Sequence, residues 1–178
     1  QDRSIIISFE KRYAHAVVDT TYSSLMNLLN PNSYQKGGWV LHMLRNEIGD
    51  KNFQQAIRDY YKKYRLSNAD TRDFQHIVEE IAGKDLRWFF DQWLYTEGHP
   101  KLNIELEIQE NAIALSVNQT DGLFEFTLPI KINFEDGSST MDYLNIKDYQ
   151  TRYKKIYKKE IKGVEIDPEV QLLFEEVK

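Results

Sequence analysis

Residues 30–49 read NPNSYQKGGWVLHMLRNEIG, and this stretch carries the first clear helical period in the chain. Val40, Leu41, Leu44 and Ile48 recur at intervals that line up along one face of an α-helix. Ser33 stands where an N-cap belongs and Gly49 where a helix stops, so the spacing predicts a helix from about Ser33 to Ile48. Gly37 and Gly38 fall inside its first turns, where each glycine costs about 1 kcal/mol against alanine. Such a pair calls for a reason, and close approach by another backbone or a ligand is the usual one.

Downstream, Asp50 is placed to cap a second helix with Phe53, Ala56, Ile57, Tyr60, Tyr61 and Tyr64 on its apolar side. Asp70 with Asp73, or Thr71 alone, caps a third helix that carries Phe74, Ile77, Val78 and Ile81 and stops at Gly83. A fourth, about Asp85 to Tyr95, presents Leu86, Phe89, Phe90, Trp93 and Leu94, and its Trp88 to Trp93 cluster reads as core. Short connections make these helices antiparallel neighbours. Upstream, Ile5, Ile6 and Ile7 read as a short buried segment, followed by a charged stretch and a loop that reaches Asn30-Pro31-Asn32-Ser33.

Beyond Gly98-His99-Pro100 the period changes from helical to alternating. Leu102, Ile104, Leu106 and Ile108 make one strand, Ile113, Leu115 and Val117 a second, and Phe124 to Phe134 a third. Asp121-Gly122 and Asp136-Gly137 mark turns. Shorter strands follow near Thr140 to Leu144, Lys155 to Tyr157 and Val164 to Ile166. Asp167-Pro168-Glu169 is placed to cap a terminal helix with Leu172, Leu173 and Phe174. The fold class is therefore α+β: an N-terminal antiparallel helical segment, residues 1–99, then a small antiparallel β-sandwich-like domain, residues 100–178.

Composition narrows the chemistry. The chain has 23 basic and 28 acidic side chains, a net charge of -5, which gives nucleic acid no general electrostatic footing. The basic run Arg152 to Lys162 could touch an anion, but Tyr153, Ile156, Tyr157 and Ile161 are interleaved with it and a solvated strand or helix face is the commoner reading. There is no cysteine, which excludes thiol chemistry and thiolate metal sites within the chain. No apolar stretch has the length of a membrane span, and Gln1-Asp2-Arg3 reads as a start within a longer protein.

None of the four histidines, His15, His42, His76 and His99, forms an HExxH pair. His76 and Glu80 lie one helical turn apart and read as a solvated pair, so no metal ligand is assigned in this chain. No GxSxG elbow or phosphate-binding loop is present either. The candidate catalytic residue is Tyr34. A phenol has a reference pKa of about 10, stays protonated at neutral pH, and can donate a hydrogen bond to developing negative charge. On local features alone, a tyrosine packed at a helix start is the commoner arrangement.

Residues 32–49 resemble the YxKG(A/G)xxLxxL segment of the M1 family of zinc aminopeptidases, the gluzincins. Family-like stretches follow in order: DKNFQQAIRDY from Asp50, TRDFQHIVEEIAGKDLRWFF from Thr71, and QWLYTEGHPKL from Gln92. The resemblance covers about residues 1–110, and the remainder is similar in placement and in its Ile166-Asp167-Pro168 close. It implies that the helical segment ends a thermolysin-like catalytic domain. It also implies a parent enzyme that hydrolyses N-terminal residues from peptides, and that Tyr34, by motif match, stabilises the oxyanion of the tetrahedral intermediate. Gly37 and Gly38 then gain a neighbour to pack against, and Lys36 belongs to the motif without assigned chemistry.

The HExxH, the later glutamate ligand and the GxMEN amine-recognition motif of that family are not in this sequence. The resemblance therefore implies a C-terminal fragment beginning after the zinc-ligand segment. Zn2+ is expected in the parent, bound by residues outside this chain, with the upstream zinc-binding domain as a partner in cis. The isolated chain is expected to be inactive. The alternative is a non-catalytic M1-like scaffold or interaction module, which a solvent-exposed aromatic face around Phe124 to Phe134 would favour. Cellular location, oligomeric state and glycosylation at Asn118-Gln119-Thr120 stay open.

Overall fold

The computed structural model describes residues 2–178. It divides into two compact units, one ending at Gly98 and the other comprising His99–Lys178. In the first, α1 (Asp2–Glu10) is a helix where the sequence suggested only a short buried segment. Of its three consecutive isoleucines Ile6 is fully buried while Ile5 is exposed, as helical geometry requires of adjacent residues.

The decisive stretch starts earlier than Ser33. Asn30 is the capping side chain: its Oδ1 accepts from the backbone N–H of Asn32 at 2.8 Å and of Ser33 at 3.2 Å. Pro31 follows with helical backbone angles, and its missing N–H is one the first turn would leave unpaired anyway. A π-helical turn, Asn32–Lys36, then leads into α2 (Gly37–Ile48). The N–H of Gly37 reaches back five residues to the carbonyl of Asn32, which defines the widened turn.

Gly49, at φ 82°, closes α2 and immediately precedes α3 (Asp50–Tyr64). With one residue between the helices, Asp50 is already helical and makes no side-chain cap. Its carboxylate instead takes two hydrogen bonds from the Arg45 guanidinium, at 2.6 and 2.9 Å. In α4 (Thr71–Ala82) the reciprocal capping box of Asp70 and Asp73 forms as its spacing predicts, and Gly83 stops the helix in the left-handed conformation at φ 62°. The last helical stretch divides into α5 (Arg87–Phe90) and a second π-helical turn, Asp91–Tyr95. Trp93 is buried there, whereas Trp88 is partly exposed.

At the centre of this unit lies a charge. Lys36 is 0% exposed, and its Nζ donates to Glu10 Oε1 at 2.6 Å and to the carbonyl of Gly98 at 2.7 Å. The lysine therefore joins the end of α1, the π turn and the last residue of the unit. An ammonium removed from water costs several kcal/mol unless it is paired, so both oxygens are needed where they stand.

The second unit is an α-free pair of sheets. One has the order β5-β2-β1-β7 and the other β4-β3-β6. Their strands are β1 (Lys101–Gln109), β2 (Ala112–Gln119), β3 (Phe126–Phe134), β4 (Ser139–Ile146), β5 (Gln150–Ile156), β6 (Ile161–Ile166) and β7 (Glu175–Glu176). All pairings are antiparallel except β1 with β7, which are parallel. Alternation places Ile113, Leu115 and Val117 of β2, and Leu128, Ile130 and Ile132 of β3, in the core. Phe124, Phe126 and Phe134 are buried with them rather than presented to solvent.

The terminal helix expected after Asp167 does not form. Asp167 adopts φ 48° and Val170 φ 55°, outside the right-handed helical region. The Asp167 carboxylate accepts from the backbone N–H of Gln171 and Leu172, so it organises a loop. Leu173 and Phe174 are buried as that loop returns the chain to β1 as β7.

The two edge strands β4 and β5 are joined through one carboxylate. Asp142 accepts from the hydroxyls of Tyr153 at 2.6 Å and Tyr157 at 2.5 Å, and from Lys155 Nζ at 2.8 Å. Burial pushes the Asp142 carboxyl up, but the hydrogen bonds from Lys155, Tyr153 and Tyr157 outweigh it and hold the group below the usual range. Burial, reinforced by the neighbouring Asp142 charge, raises both phenols.

Two outcomes follow from these contacts. Lys36→Met takes the ammonium away from the Oε1 of the buried Glu10 and is expected to destabilise the helical unit by about 3–5 kcal/mol, while Lys36→Met with Glu10→Leu recovers part of that loss. Urea unfolding followed by circular dichroism measures both. Asp142→Asn is expected to cost the β unit about 2 kcal/mol at neutral pH, the scale of hydrogen bonds to a charged group. Because the folded pKa of Asp142 is depressed, its contribution is present above the unfolded value of about 3.9 and disappears as pH falls through the folded one. The Asn variant should therefore lose less stability than the parent on acidification below about pH 4, as read by denaturation at a series of pH values.

Candidate functional site

Tyr34 sits in the middle of the π-helical turn, and the two residues that bracket it point inward. Asn32 is 1% exposed and its Nδ2 donates to the carbonyl of His15 at 2.6 Å. Lys36 is held by Glu10 and Gly98 as described. Residues two apart on a helix do not share a face, so anchoring both neighbours inward turns the tyrosine outward. Tyr34 is 62% exposed. Its hydroxyl makes no hydrogen bond to any described residue, while its backbone N–H is taken by the carbonyl of Asn30 at 3.2 Å. The arrangement presents a proton donor from a fixed backbone.

The glycines behind it are not forced by contacts within the chain. A Cβ on Gly37 would lie 3.8 Å from the carbonyl oxygen of Asn32, an ordinary contact, and one on Gly38 would meet nothing within 4 Å. A close neighbour of the kind the sequence calls for is therefore not found among the described residues.

Next to α1 a shallow cavity of about 440 Å³ is lined by Phe9, Tyr13, Tyr22, Met26 and Leu29. Asp19 stitches its rim by accepting from the amide and hydroxyl of Thr21, both at 2.7 Å, and these bonds hold its carboxyl below the usual range. Tyr22, Leu25, Met26 and Leu29 are all exposed, which makes residues 22–29 the most apolar surface of this loop.

The histidines are dispersed. His15 lies 3.9 Å from Asp19 near the surface, His42 stands edge-on to Trp39, and His76 and Glu80 lie on the exposed side of α4. His99 is buried, with Nε2 3.6 Å from Glu175 Oε2. No group of three or more His, Cys, Asp or Glu side chains able to hold a metal ion occurs among the described residues. The residues present do not fit a zinc centre, and no reaction step is assigned to one here.

Two partners in this constellation could not be found by sequence spacing. Glu10 and Gly98 lie 26 and 62 residues from Lys36, and only the fold brings them to its ammonium. The single local signal was a lysine two residues beyond the tyrosine, in a stretch otherwise turning apolar.

Comparison with known proteins bears on this segment directly. Residues 9–93 match the Peptidase family M1 domain. The chain is 32% identical over 105 residues to Aminopeptidase M1-C of Oryza sativa subsp. japonica, covering 56% of the chain and 12% of that protein. It is 29% identical over 154 residues to Glutamyl aminopeptidase of Sus scrofa, covering 82% of the chain and 16% of that protein. With Aminopeptidase N of Lactococcus lactis subsp. lactis the figures are 34% over 86 residues, 48% of the chain and 10% of that protein. The chain thus spans only a small part of the curated relatives it matches.

The fold agrees. The crystal structure of Legionella pneumophila aminopeptidase A in complex with aspartic acid superposes with a TM-score of 0.77 at 16% identity, covering 99% of this chain and 21% of that one. The family match, the order of the motifs and the shared fold agree: residues 9–93 of this chain resemble the peptidase family M1 domain, and the chain has the fold of part of an aminopeptidase.

Proposed function

We propose that this chain is part of a zinc-dependent aminopeptidase that releases N-terminal residues from peptides, and that Tyr34 is its contribution to the chemistry. In this reading residues 1–99 end a thermolysin-like catalytic domain and residues 100–178 form a separate β-sandwich domain. The zinc is held by residues outside this chain, and the domain that carries them is its partner in cis. The observation that carries the proposal is the outward phenol of Tyr34, set between two buried polar anchors in a family-matched segment.

The role follows from where charge appears. When water adds to the scissile carbonyl, a C–O bond forms and the carbonyl π electrons move onto its oxygen. A phenol O–H aimed at that oxygen donates a hydrogen bond that strengthens as the charge grows, so it favours the transition state over the bound peptide. Tyr34 keeps its proton throughout, and no transfer is required of it. For the alternative, a non-catalytic scaffold, Phe124, Phe126 and Phe134 of the β unit are buried, whereas its Tyr143 and Tyr149 are exposed.

In the full-length gene product, Tyr34→Phe is expected to lower kcat for N-terminal peptide-bond hydrolysis by about 10²- to 10³-fold, with a smaller change in KM. An unchanged kcat would exclude the role. Zinc titrated into the 178-residue chain in a calorimeter is expected to show no tight site of one-to-one stoichiometry. Such a site would place the metal inside this chain and overturn that part of the proposal.

A further inference from the structure

We infer that Lys36 and Glu10 are positioning residues for Tyr34: their buried ion pair fixes the rotation of the π-helical turn and thereby the direction of the phenol. The inference rests on the catalytic reading of Tyr34 and extends it to two residues that never face the substrate.

Three observations carry it. Lys36 is wholly buried, yet it makes only the directional contacts of an ammonium, to Glu10 Oε1 at 2.6 Å and the Gly98 carbonyl at 2.7 Å. An apolar side chain of similar volume would fill the same space, and buried ion pairs contribute little to stability compared with such replacements. What the charged pair adds is geometry, because each hydrogen bond restricts where the nitrogen can lie.

The second observation is the spacing. Lys36 follows Tyr34 by two residues in one turn, so an inward lysine and an outward tyrosine are linked by the backbone between them. The third is the turn itself. A π-helical turn has an extra residue in its hydrogen-bonded ring and is less regular than the helix it interrupts, so its orientation needs an external constraint. Asn32 supplies one on the N-terminal side through His15, and Lys36 supplies the other. Tyr34 has no hydrogen-bond partner among the described residues to fix it directly.

The test is a double-mutant cycle in the full-length protein, with turnover and KM measured on a peptide and folding checked by circular dichroism. Lys36→Met is expected to lower kcat by up to about 10²-fold, the scale of a small misplacement of a catalytic group, with KM changed much less. In a Tyr34→Phe background the same change is expected to lower kcat by no more than about threefold, because the group it positions is gone. A purely structural lysine would cost the same factor in both backgrounds. If Lys36→Met does not fold, Glu10→Gln, which keeps the volume and one acceptor oxygen, replaces it in both backgrounds with the same expectation. A loss from Tyr34→Phe together with a silent or fully additive Lys36→Met overturns this inference alone. A silent Tyr34→Phe overturns the reading of Tyr34 and this inference with it.

Discussion

A lysine ammonium with no exposed surface sits at the join of α1, the π turn and the end of the helical unit, and the placement of those parts depends on it. Its Nζ has two oxygen partners, a carboxylate from the first helix and a carbonyl from the last residue before the β unit. Desolvating a cation costs several kcal/mol, which the carboxylate and the carbonyl offset together. The pair is therefore satisfied only when residues at both ends of the unit have reached their final positions. Apolar contacts elsewhere, such as Val40, Leu44 and Ile77, tolerate small shifts; the ion pair tolerates far fewer.

The β unit is organised on a different principle. Its interior follows from the period of two along β2 and β3, and needs no buried charge to define it. The polar fastening lies at the edge instead, where Asp142 on β4 collects two tyrosines and a lysine from β5 and its flank. Pro129 lies in the middle of β3, where a missing N–H would ordinarily break a ladder. It falls where β6 has just ended: its carbonyl takes the N–H of Asp167, the residue at which the chain bends away.

What could be read from sequence was what depends on near neighbours. The Asp70 and Asp73 capping box, the Gly83 stop and the alternation from Phe126 to Phe134 are each decided within a few residues, and each stands in the structure as its spacing implies. Tyr34 was singled out by its motif, since nothing local distinguishes a presented phenol from a packed one. The misreadings have a common cause in competing partners. Ser33 looks like a cap, but Asn30 three residues earlier accepts from the N–H of Asn32 and of Ser33 itself, so the helical backbone has begun before Ser33 is reached. Leu172, Leu173 and Phe174 look like a helical face, but Asp167 spends its carboxylate on a loop and β1 offers an edge to pair with. The partners of Lys36 were out of reach of any local pattern.

The π-helical turn also fixes something that side chains cannot. A single extra residue in a helix changes the rotation of everything on one side of it by about 100° relative to the other. Removing one residue between Asn32 and Lys36 would restore a regular helix, but it would swing one of the two buried anchors away from its oxygen. The length of this segment is thus constrained independently of its composition. Substitutions within it can be graded in effect, whereas an insertion or deletion acts as an all-or-nothing change of phase.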